Sequence, residues 1–167
     1  MTATLRPAEA GDLDRIRRWR NHPQVRGISL TQHEIGPEEH LAWWSAVRKE
    51  PDRQVLIYLH GGQPAGVVTF TGVTSPDRAV TWGYYLDIEG LEERGELLSA
   101  WMGLQRAGIE HALGPLAAQT LGGETLADNT PVLALHRRFG FRVTRRYERN
   151  IDGTARQVVW TELSRST

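Results

Sequence analysis

Residues 126–141, LADNTPVLALHRRFGF, decide the fold. Asp128 or Asn129 can cap a helix, because a short side-chain acceptor satisfies orphan N–H groups of the first turn. Pro131 falls near the first helical position, where its missing N–H costs little. A helix of about ten residues is expected to follow. Val132, Leu135 and Phe139 share one face at helical spacing, Gly140 allows a stop, and Phe141 opens a strand. On this spacing His136 lies beside the apolar stripe rather than inside it.

Upstream, 91–114 (LEERGELLSAWMGLQRAGIEHALG) reads as the longest helix, with Leu97, Trp101, Leu104 and Ile109 toward one side; 115–124 (PLAAQTLGGE) can form a strand. Residues 78–87 (RAVTWGYYLD) are rich in strand formers, interrupted by Gly83. Residues 53–73 read as two strands about a Gly-Gly turn, and 139–163 as two more about IDGT, where Asp-Gly is a strong turn signal. Nearer the start, 2–9 (TATLRPAE) reads as a strand. A helix over 10–21 buries Leu13, Ile16 and Trp19, 22–36 is irregular, and a helix over 37–50 has Leu41, Trp44 and Val47 on its apolar side. The order β-α-α-β-β-β-α-β-α-β-β fits an α/β domain whose central strand–helix–strand unit carries the ligand site.

The chain has 167 residues, enough for a real core, and is read as one domain over 1–167. Lys plus Arg number 20, equal to Asp plus Glu, so no global field draws it to DNA or a membrane. The absence of cysteine removes disulfides, thiolate metal sites and a cysteine nucleophile. No apolar run approaches the roughly 18 residues of a membrane span, and 1–13 lacks the apolar core of a signal peptide, so a cytoplasmic protein is expected.

The element order together with NTPVLALHRRFGF (129–141) resembles the GNAT N-acyltransferase superfamily. LRPAEAGDLDRIRRWRNHPQVR (5–26) and TQHEIGPEEHLAWW (31–44) are similar to its branch of ribosomal-protein and nucleotide-linked amino-sugar N-acetyltransferases, the latter of the pseudaminic-acid pathway type. The resemblance implies a mixed, largely antiparallel central sheet with a splayed parallel strand pair and helices on both faces. It also implies acetyl-CoA as acyl donor between the strand ending at 84–87 and the strand at 116–121. Amides near Tyr85 and Leu86 would hold the pantetheine arm, and Asn129 would contact it. Free strand edges suit that role, because they expose N–H and C=O groups to an extended chain.

The family's pyrophosphate loop has the form Q/R-x-x-G-x-G/A, and DIEGLEERGELLSA (87–100) does not reproduce it. Arg94 with the amides of Gly95 and Glu96 remains as a shortened cradle, although Glu89, Glu92, Glu93 and Glu96 bring acidic charge there. The same acids stabilise a helix N-terminus through its dipole.

Many relatives place a tyrosine in the last helix as the acid for the departing thiolate; LHRRFGF puts His136 in that slot. Its imidazole, with an ordinary pKa of about 6.5, can move a proton at neutral pH. Base candidates are Thr81, Tyr84 and Asp87 on the strand, and His33 or Glu34 in the loop over the acceptor cleft; His33 is selected here. Acceptor contacts are expected from Arg20, Asn21, Gln32, Glu34, Tyr84 and Trp44. No metal is expected.

The first reading is acetyl transfer from acetyl-CoA to a small-molecule amine. The second keeps the fold but takes the acyl group from aminoacyl-tRNA or a carrier-protein thioester, motivated by the altered loop and by Arg137, Arg138, Arg142, Arg145 and Arg146. A third is a non-catalytic binding module. The sequence leaves oligomerisation open.

Overall fold

The computed structural model describes residues 4–165. The strands are β1 (Leu5–Pro7), β2 (Arg53–His60), β3 (Gln63–Thr71), β4 (Ala79–Leu86), β5 (Thr120–Leu126), β6 (Arg142–Ile151) and β7 (Thr154–Ser164). They form a seven-stranded sheet in the order β1-β2-β3-β4-β5-β7-β6. Every neighbouring pair is antiparallel except β4–β5, which is parallel. Thr2 and Ala3 of the first expected strand lie outside the described residues.

The helices are α1 (Leu13–Asn21), α2 (Pro23–Ile28), α3 (Pro37–Val47), α4 (Ile88–Glu93), α5 (Leu97–Leu113) and α6 (Thr130–Arg138). They cover both faces of the sheet. On one face Phe70, Trp82, Leu86 and Leu121 pack with Leu104 of α5; on the other Ile57 and Val67 pack with Ile16 and Trp19 of α1 and Val47 of α3. None of the helices among the described residues is long and apolar enough to cross a membrane.

Four local expectations are corrected. The segment read as irregular contains α2, with Pro23 in its first turn and the ring of His22 accepting from the Gln24 N–H at 3.2 Å. The long helix is two: Gly95, at φ +67°, turns the chain between α4 and α5 in a conformation that favours glycine. On α3, Leu41 is 57% exposed, while His40 is buried, with its Nε2 2.9 Å from the Leu13 carbonyl oxygen. That backbone partner is what allows a histidine, rather than the leucine beside it, to face inward. The strand expected over 115–124 begins at Thr120.

Candidate active site where two strands part

β4 and β5 pair only at Ala79–Thr120, Val80–Leu121 and Thr81–Gly122. Beyond that point β4 runs on to Leu86 and β5 to Leu126 with a gap between them. The direction of each amide follows from the period of two along a strand. The Asp87 N–H donates to the Ala65 carbonyl at 2.8 Å, and Tyr85 and Gly83 stand opposite Val67 and Thr69 in the same register. Asp87, Tyr85 and Gly83 therefore turn their backbone groups to β3, and Tyr84 and Leu86 turn theirs into the gap. On β5 the Ala127 N–H donates to Gln157 at 2.9 Å, so the same alternation leaves the backbone of Glu124 facing the gap from the other side. Of the two amides expected there, that of Leu86 is available; that of Tyr85 is committed to β3, and Tyr84 takes its place.

A cavity of ≈ 290 Å³ fills the gap. Of the expected residues, Arg20, Tyr84, Tyr85, Asn129 and His136 line it. The pleat divides its walls. Tyr84 follows Trp82 toward α5, standing edge-on to Trp101 at 5.9 Å between ring centres. Tyr85 points the other way, onto the cluster of Ile16 and Trp19. Glu124 shares a side with Leu126, which packs with Leu30 and Tyr147. Arg20, Tyr85 and Glu124 thus belong to the α1 side, and Tyr84, Trp101 and His136 to the α5 side.

Asn129 is the N-cap of α6, its side chain accepting from the Val132 N–H at 3.4 Å, so the cap and the cavity wall are one residue. His136 departs from its expected position: it is 3% exposed, among the rings of Trp82 and Phe141. Two polar partners make that burial tolerable. Nε2 lies 2.6 Å from the Tyr84 hydroxyl and Nδ1 3.0 Å from the Thr161 hydroxyl. Burial pulls the imidazole down to about 4, so it is neutral at pH 7, and burial pushes the Tyr84 phenol up, so it keeps its proton. Either tautomer satisfies both contacts: Tyr84 donates to Nε2 while Nδ1–H donates to Thr161, or both bonds reverse. The Tyr84 and Thr161 hydroxyls therefore hold the ring uncharged in either tautomer.

Glu124, which the sequence reading missed, is the carboxylate of the cavity. It accepts from the Tyr147 hydroxyl and from Arg149, each at 2.6 Å. Burial, reinforced by the hydrogen bond to Glu124, pushes Tyr147 up to about 12. The available signal was a single acid inside the otherwise uncharged strand TLGGETL. Trp101 and Thr161 also belong to the site, and no local sequence pattern marks them, since their partners Tyr84 and His136 are distant in sequence.

The remaining expected residues lie elsewhere. Asn21 clamps the loop after α2, donating to the Ile35 carbonyl at 2.8 Å and accepting from its N–H at 2.7 Å. The Gln32 side chain donates to Gly27 at 3.1 Å. His33 is exposed, 2.8 Å from Glu39, and Glu34 is exposed beside it; neither lines the cavity. Trp44 lines a separate groove with Ala8 and Val47, because α3 packs on β2 rather than over the gap. At the start of α5, Arg94 donates to Glu96 at 2.9 Å, and His60 stands 3.5 Å from the same carboxylate. Among the described residues no group of three or more His, Asp or Glu is placed to hold a metal.

A family model described as an acetyltransferase (GNAT) domain matches residues 3–142. No curated protein matches the sequence. Among solved structures, spermidine N-acetyltransferase from Vibrio cholerae, in complex with CoA and spermine, superposes with a TM-score of 0.80 at 14% identity, covering 96% of this chain and 94% of that one. Mycobacterium smegmatis RimJ, in complex with CoA-disulfide, gives 0.79 at 18% identity, over 96% and 80%. The Campylobacter jejuni N-acetyltransferase PseH gives 0.67 at 16% identity, over 97% of each chain. At these identities the likeness is one of fold.

Proposed function

Because the chain belongs to the acetyltransferase (GNAT) domain family, we propose that it moves an acetyl group from acetyl-CoA to a primary amine of a small molecule, by direct attack in the gap between β4 and β5. The observation that carries this reading is the pairing, across one cavity, of a carboxylate on the α1 side with a neutral phenol–imidazole pair on the α5 side. A nucleotide-linked amino sugar is one acceptor that fits the sequence resemblance.

Acetyl-CoA supplies an activated acyl carbon and a thiol leaving group. The gap fits its extended pantetheine arm, because the Tyr84 and Leu86 backbone groups have no strand partner there. Their N–H groups are also placed to stabilise negative charge developing on an acyl oxygen, since they are fixed before the reaction begins. Glu124 accepts the proton that the acceptor ammonium must lose before its nitrogen can attack. As the nitrogen–carbon bond forms and the carbon–sulfur bond breaks, Tyr84 gives its hydroxyl proton to the sulfur, and the second proton that the nitrogen sheds returns to the Tyr84 oxygen across the cavity, with His136 holding the phenol in place. His136 acts through Tyr84 in this scheme, because its ring is buried behind the phenol.

The test is thiol release from acetyl-CoA with a panel of primary amines. Turnover with at least one amine is expected, together with a loss of about 10²–10⁴-fold in kcat for Glu124→Gln, the usual weight of a general base. Absence of turnover with every amine, by protein that binds CoA, contradicts the reading. The Glu96 carboxylate at the start of α5 favours a second reading, a donor other than CoA. Salt-sensitive tRNA binding without CoA binding would select it.

A further inference from the structure

The α1 side of the cavity holds a cation without a counter-ion. Arg20 lines the wall and is half-buried. One guanidinium nitrogen, Nη2, donates to the Thr31 carbonyl. The other, Nη1, is sealed from solvent and has no hydrogen-bond partner among the described residues. Arg6, Arg15, Arg94, Arg149 and Arg156 each pair with a carboxylate, whereas no carboxylate comes within ion-pair distance of Arg20 among the described residues. Desolvation lowers the guanidinium's affinity for its proton; Tyr85, then Glu39 and Asp152, offset this in part, and Arg26 opposes them. A partly desolvated cation with a spare donor is costly unless something supplies the missing acceptor.

The rest of the cavity does not supply it. Glu124, the one acid among the lining residues, is already engaged by Arg149 and Tyr147, and His136 is neutral. Arg20 is therefore a lining cation that no lining acid pairs with. Arg20 is also held in place: its own bond to Thr31, the Arg26 bond to Gln32 and the Asn21 clamp on Ile35 fix the loop it leans on.

We infer that the acceptor is an amine that also bears an anionic group, a carboxylate or a phosphate ester, and that Arg20 holds this group while the amine is presented to Glu124. The inference rests on acyl transfer at this gap. Either anion offsets the charge of a guanidinium that has no ion pair, at the side it turns to the cavity. A polyamine offers Arg20 no anion, so the fold shared with spermidine N-acetyltransferase does not extend to its acceptor.

The experiment compares matched acceptors: an α-amino acid against its carboxamide, an amino sugar against its 6-phosphate, and spermine. The acidic member of a pair is expected to be preferred by about 10-fold or more in kcat/KM, chiefly through KM, the weight of one charge-assisted contact. Arg20→Gln brings the ratio near unity by lowering use of the acidic members, and Arg20→Lys retains part of the preference. The two pairs distinguish carboxylate from phosphate. Equal use of the neutral members, better use of spermine, or a preference that survives Arg20→Gln overturns the inference. Unchanged CoA affinity of Arg20→Gln shows that the variant is folded, whereas absence of CoA binding by the unaltered protein is a failure of the acyl-transfer reading. If CoA binds but no acceptor turns over, calorimetric titration with glutarate and with inorganic phosphate decides: binding that is lost in Arg20→Gln supports the inference, and no binding overturns it.

Discussion

Acidification should destabilise this protein through His136 in a defined window. The ring is 3% exposed, and its burial holds it neutral down to about pH 4. In the unfolded chain the same imidazole takes up a proton at about pH 6.5. Between these values the unfolded state binds more protons, so stability falls as pH falls; the contribution is complete above pH 6.5 and gone below about pH 4. A window of about two to three pH units, at about 1.4 kcal/mol per unit, is worth about 3 kcal/mol in all, of which about 2 kcal/mol is lost by about pH 5. Burial lowers His40 and His111 in the same direction, and Asp12, Asp52 and Asp77 are held below the usual carboxylate range by their hydrogen bonds, so the whole protein loses stability in acid. His136→Gln removes one titration and leaves the others. Urea unfolding of both proteins at pH 8 and pH 5 isolates it: the unaltered protein should lose about 2 kcal/mol more than the variant between the two conditions. Equal losses would mean that His136 is not buried neutral, and the reasoning about the Tyr84–His136 pair would fall with it.

Tyr84→Phe should lower kcat by about 10²-fold with KM little changed, because the hydroxyl acts on the leaving sulfur and not on binding; steady-state rates with one amine check this. Gly123→Ala should destabilise by about 1–3 kcal/mol, since a Cβ there would meet the Trp82 carbonyl oxygen at 2.7 Å where the strands begin to part, and backbone cannot yield as a side-chain tip can. A urea midpoint within error of the unaltered protein would contradict it. Asp12→Ala should cost about 2 kcal/mol or more, because Arg6, Arg15 and the Glu9 N–H all donate to that buried carboxylate, and thermal unfolding reads the loss.

The sheet and most helices were legible because strand alternation and helix periodicity are local. Asn129 was legible as a cap for the same reason, and its position on the cavity wall follows from the helix it starts. His136 was misread because periodicity sees only its own helix, while the partners that make its burial tolerable, Tyr84 and Thr161, lie on β4 and β7. Glu124 was missed for a similar reason: nothing in TLGGETL shows that this strand parts from its neighbour beyond the Thr81–Gly122 pair. The amides near Tyr85 and Leu86 could be named only as a neighbourhood, because register, which decides which way an amide points, is a property of two strands and not of one. His33, Glu34 and Trp44 sit in stretches of the right chemical character, but α3 and the loop before it carry them away from the gap.

The most direct test is to titrate ¹⁵N-labelled protein with CoA and follow the backbone amides of β4. Tyr84 and Leu86 should show large shifts as their free N–H groups gain an acceptor, while Tyr85, already bonded across to β3, should move far less. Saturating CoA that leaves Tyr84 and Leu86 unmoved would contradict the assignment of the gap between β4 and β5 as the donor site.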